Sequence, residues 1–164
     1  MRIVFVFLVA CSSSIHANDT SLIALRNYFF RSAHNSAAAK QFFNATHLVK
    51  ETEVVKFSYK AVSYIMQSKY AFNPYIKWSN FSKGRDMLEI ALKQSPGNIE
   101  IHFLRFSIQS NIPFFLNYTN DISNDKKIIL EGWNEIEDKD LKSKIKQYII
   151  TSDAFTDSEK NLLQ

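Results

Sequence analysis

The sequence predicts an all-α protein of about seven helices arranged as antiparallel hairpins. Three observations carry that prediction. Glycine and proline occur only three times each in 164 residues, too few for the many turns of a β-sandwich. Apolar residues recur at three- and four-residue spacing along most of the chain, which is the mark of a helix face. Ser, Thr, Asn and Asp stand ahead of these segments, where a side-chain oxygen can cap the free N–H groups of a first turn. Hydrophobic residues make up 46% and charged residues 22%. That is enough apolar surface to offset the entropy of ordering the chain, so the composition argues against disorder.

The first seventeen residues have the order of a secretory signal. Arg2 supplies a short positive start, Ile3 to Ala10 form an apolar run, and a polar segment from Cys11 to Ala17 leads to small-residue positions before Asn18. The apolar run is too short to span a bilayer, which takes about 20 residues. Two processing routes stay open. Cleavage after Ala17 would leave 18–164 as a single helical domain. Alternatively, Leu8-Val9-Ala10-Cys11 resembles a lipobox, with residues 1–10 removed and Cys11 lipidated. Either way the chain is expected to be exported to the periplasm or cell envelope, and membrane contact is expected only on the second route, through the lipid on Cys11. Cys11 is the sole cysteine, so no disulfide staples the fold.

Each helix has its own rationale. Asp19 or Thr20 caps a first helix reaching about Ala33, with Leu22, Leu25, Phe29 and Ala33 on one stripe. Ser36 caps a second, whose core face is Phe42, Phe43, Leu48 and Val49. A third runs from about Thr52 to Tyr70, with Val54, Ala61 and Ile65 beside Val55, Val62 and Met66. Asn73-Pro74 reads as a loop, because proline disfavours continuation of a helix. A fourth helix then runs from near Asn80 to Pro96-Gly97. Asn98 caps a fifth, Ile99 to about Ser110, which is apolar almost all round and belongs at the centre of the core. A sixth spans about 123–136, with Ile129, Trp133 and Ile136. A seventh spans about 139–150, with Leu141, Ile145, Tyr148 and Ile149. Thr156 to Glu159 fits a capping box opening a short terminal helix.

Gly84, Leu88, Ala91 and Pro96 stand at the small, large, small and proline positions of the second helix of a tetratricopeptide repeat, and Phe57, Ala61 and Tyr64 match its first helix. The chain thus resembles about one such repeat, which implies a close helix hairpin in which small residues let the backbones approach. The departure is the stretch Tyr70 to Asn80, where the repeat has a tight turn. Phe72-Asn73-Pro74, Ile90-Ala91-Leu92 with Ser95-Pro96, and Ile99 to Ser107 with Gln109 are also similar to an uncharacterised family of exported Bacteroidetes proteins. That resemblance implies the fold and the export, and no catalytic residue.

Candidate chemistry is sparse. The histidines, His16, His34, His47 and His102, have no zinc-ligand spacing, so neither a metal nor any other cofactor is expected. No phosphate-loop, dinucleotide or nucleophile-elbow motif occurs, and no catalytic residue is assigned. The net charge of +4 comes from lysines spread along the whole chain, so no nucleic-acid partner is expected. The acidic run Glu135 to Asp140 suits a helix start. Arg105 lies on the apolar fifth helix, where it either forms a structural ion pair with Asp86 or Glu89 or clamps a carboxylate or phosphate. Asn73, Pro74, Tyr75, Lys77 and Trp78 form an aromatic, basic segment. Its rings either fold back into the groove between the third and fourth helices or meet a partner.

Together these readings make the chain an exported protein-interaction or scaffold domain without catalysis, its partner contacts placed at Asn73, Pro74, Tyr75, Lys77, Trp78 and Arg105. The alternatives are an enzyme acting on envelope polymers through an unrecognised site, and a lipoprotein subunit of an envelope complex.

Overall fold

A computed structural model describes residues 20–163. The expected leader, with Cys11, His16 and the Asp19 cap, lies outside those residues. The described residues are all-helical. Their elements are α1 (Leu22–Ser32), α2 (Ser36–Thr46), α3 (Val54–Tyr70), α4 (Pro74–Gln94), α5 (Ile99–Gln109), α6 (Ile122–Glu131), α7 (Lys139–Thr151) and α8 (Asp157–Asn161), with 3-10 turns at Phe114–Leu116 and Trp133–Glu135.

Most starts are set by a side-chain cap. Ser21 and Asn35 cap α1 and α2, each one residue off the expected position. Asn98 caps α5, Asp138 caps α7, and the Thr156–Glu159 capping box opens α8 as its spacing predicts. Two expectations are corrected. The sixth helix does not run unbroken to Ile136; it stops at Glu131, and Gly132 leads into a 3-10 turn. Leu48 is not a core residue: α2 ends at Thr46, and Leu48 points into solvent while Val49 is buried.

The larger correction concerns Pro74. It does not mark a loop but is the first residue of α4, where its missing N–H has no helical partner to lose and its fixed φ suits the helix. Asn73 accepts from the N–H groups of Tyr75 and Ile76 and so caps α4. The stretch read as an insertion is therefore a three-residue turn, 71–73, followed by the first turns of a 21-residue helix. Helices α3 and α4 form a close antiparallel pair. The two backbones approach tightly at Gly84, where a Cβ would come within 2.5 Å of the Ala61 carbonyl oxygen.

One hydrophobic cluster draws on every helix from α1 to α7, closed at the C-terminal end by Phe155 and Leu163. Helix α5 runs through it with every residue from Glu100 to Gln109 buried, as the apolar circumference of that segment predicts.

Candidate functional site

Three places merit a functional reading: two buried charge networks and one exposed aromatic end.

The first network is built on Arg26 of α1, only 2% exposed. Its Nε and Nη2 donate to the two oxygens of Glu100 on α5 at 2.8 and 3.0 Å, and its Nη1 reaches Asp138 and Asp140 at 2.9 and 3.0 Å. The Tyr59 hydroxyl donates to Glu100 at 2.7 Å. Burial and the adjacent Glu100 carboxylate push the Tyr59 phenol well above its ordinary range, so it stays a donor. Burial alone would disfavour the charge on Arg26, but the hydrogen bond and attraction of Glu100, joined by Asp138 and Asp140, raise its pKa further.

The second network lies on the other side of α5. Asp125, fully buried on α6, accepts from Arg105 Nε at 2.8 Å, Arg105 Nη2 at 2.7 Å and His102 Nδ1 at 2.7 Å. Arg105 Nη1 donates to Glu89 at 3.0 Å, and the Tyr118 hydroxyl donates to the same carboxylate at 2.6 Å. His102 Nε2 meets the Pro96 carbonyl at 2.8 Å. Both neighbours of the ring are acceptors, so the doubly protonated form satisfies both nitrogens. Burial opposes that charge, but Asp125 and the Pro96 carbonyl outweigh it and hold the His102 pKa above its usual value.

These networks are held together by mutual hydrogen bonds. All three Arg105 nitrogens already donate to carboxylates, so none is presented to a ligand. Of the two partners foreseen for Arg105, Glu89 is used and Asp86 is not, because Asp86 pairs with its neighbour Arg85. The acidic run ahead of α7 both caps that helix and neutralises Arg26. Sequence reading missed Arg26 as a buried group. A depression of about 450 Å³, lined by Ser123, Lys126, Lys127, Leu130, Glu131 and Glu159, contains no member of either network. One of about 190 Å³ opens onto Glu100 and Asp138, whose carboxylates are already engaged with Arg26. Among the described residues, no group of three or more His, Cys, Asp or Glu side chains is arranged to hold a metal ion.

The third place is the start of α4. Residues 72 to 79 are all exposed. Phe72 stands wholly in solvent, Tyr75 is 79% exposed and Trp78 53%. The expectation that these rings fold back into the α3/α4 groove is overturned. The first six residues of α4 are all exposed, so its start stands clear of the groove. Only Trp78 leans inward, its ring tilted by 36° at 6.3 Å from the buried Phe81 ring. Phe81 in turn meets Tyr118 edge-on at 6.2 Å, which packs the end of the segment 113–118 against α4. That segment carries two further exposed rings, Phe114 at 87% and Phe115 at 81%. Every exposed aromatic among the described residues lies in these two stretches. The structure thus keeps Asn73, Pro74, Tyr75, Lys77 and Trp78 together on one projecting helix end, buries Arg105 elsewhere, and adds Phe72, Phe114 and Phe115. Pro113, which follows α5 and cannot continue a helix, is the sequence signal that points to the last two.

No known protein family matches this chain, and no curated protein or solved structure is detectably similar to it.

Proposed function

We propose that this chain is an exported, non-catalytic interaction domain of the cell envelope that docks through the aromatic end formed by Phe72, Tyr75, Trp78, Phe114 and Phe115. One observation carries the reading. Among the described residues the other aromatics are buried or partly buried, whereas these five stand in solvent. Large apolar patches left uncovered in a folded protein mark sites of contact, and Trp and Tyr are over-represented in such sites. Export rests on the charge, apolar run and small-residue order of residues 1–17.

Two measurements test this. A photoreactive residue placed at Tyr75 in the intact native envelope is expected to give crosslinked products that the same probe at Gln147, exposed on α7, does not give. Equal products from both positions, or none from either, would sink the docking reading. The mature N-terminus is expected at Asn18 or at a lipid-modified Cys11, and an intact Met1 in the cytosol would remove export.

A further inference from the structure

We infer that the partner of the aromatic end is an anionic lipid surface; this rests on the docking reading above and names what docks. The shape of the site comes first. Residues 72 to 79 are exposed in succession, so the first turns of α4 show solvent all their faces. A peptide groove needs concavity and a protein interface needs matched shape. A projecting helix end with rings on several sides offers no groove of its own, and a bilayer accepts protruding rings without a complementary mould.

The residue types agree. Trp, Tyr and Phe with lysine are what the membrane–water boundary selects: the rings sit among the headgroups and acyl chains, and lysine stems lie along the apolar layer with their charges turned outward. Lys77 lies between Ile76 and Trp78, and Lys83 places its ammonium 4.4 Å from the Tyr64 ring centre on the neighbouring helix.

Charge chooses the kind of lipid. Between Val54 and Arg85 there is no acid; Lys56 pairs with Glu53 and Arg85 with Asp86, which leaves Lys69, Lys77 and Lys83 as the basic side chains toward the aromatic end. Glu51 and Glu53 precede this stretch at the far end of the hairpin, where Gln94 donates to Glu51 at 2.9 Å. At 1.5 Å per residue, the length of α4 puts them about 30 Å from Pro74. Arg31 belongs to the aromatic end, because Lys69 and Tyr70 donate to the carbonyls of Ala33 and Ser32 at 2.6 and 2.8 Å. The acid nearest in sequence to Phe114 and Phe115 is Asp121, held 3.4 Å from Arg105. A negative surface attracts the Arg31, Lys69 and Lys77 charges at the aromatic end.

The experiment uses the full chain, so that any contribution of the leader is the same in every variant. Vesicles of phosphatidylcholine, alone or mixed in equal parts with phosphatidylglycerol, carry brominated acyl chains that quench tryptophan at short range. Quenching is expected in the mixed vesicles and is lost in Trp78→Phe, which assigns it to that ring. Lys77→Glu with Lys83→Glu weakens binding by at least about tenfold at low salt, since each basic residue at an anionic surface contributes roughly a fivefold factor. Circular dichroism verifies that these exposed substitutions leave the helices intact. Absence of Trp78 quenching, or equal binding to vesicles without phosphatidylglycerol, overturns the inference. The Tyr75 crosslink separates the two failures: a protein product without quenching removes the lipid and leaves the docking reading, whereas no product and no quenching removes both.

Discussion

His102 is the residue whose chemistry is easiest to read out. Its two ring nitrogens face the Asp125 carboxylate and the Pro96 carbonyl, and its pKa lies above the ordinary 6.5. A group whose folded pKa is raised stabilises the fold fully below its unfolded pKa and loses that contribution as pH climbs through the folded value. Denaturant unfolding across this window should show wild-type stability falling relative to His102→Gln, which does not titrate. Parallel curves for the two proteins would mean that folding leaves the His102 pKa unchanged, and wild-type stability rising with pH would mean that the ring is held neutral. Arg26 illustrates how little of such a site is visible beforehand. Its partners lie 74 residues away at Glu100 and 114 away at Asp140, and no local pattern links them. Arg105 was noticed only because it interrupts an apolar helix. Its partner Glu89 was foreseen, but Asp125, one polar residue among several on α6, was not.

At the scale of elements, most helices were legible because burial imposes a 3.6-residue period and capping imposes its own residue types. Pro74 was the exception for a physical reason. Proline both ends helices and begins them, and only the preceding Asn73, acting as a cap, decides between the two. That single ambiguity turned the start of α4 into a supposed loop and hid the projecting helix end that the docking proposal uses. Gly84 and Gly97 test the hairpin. A methyl group at Gly84 would press on the Ala61 carbonyl and Ile65, so Gly84→Ala should lose about 1–2 kcal/mol, the overpacking cost less the helix-propensity gain. At Gly97 nothing lies within 4 Å of the added atom, and Gly97→Ala should be neutral or stabilising by up to about 1 kcal/mol. Urea midpoints decide it, and a stabilised Gly84→Ala would refute the close approach.

For the molecule as a whole, the arrangement of charge around α5 matters most. Glu100 binds α1 and α3 on one side, while His102 and Arg105 bind α6 and α4 on the other. Amides of α5 should therefore exchange with solvent only through global unfolding, with protection matching the free energy from urea. Faster exchange there would show that the flanking helices open separately. The same geometry has a mechanical meaning. Advancing a helix by one residue turns it by about 100°. Any such slip of α5 would withdraw a carboxylate from one guanidinium and a guanidinium from another carboxylate at once. An oily rod alone could settle in several neighbouring positions of similar energy; this one is keyed on both flanks, and the sequence admits a single seating.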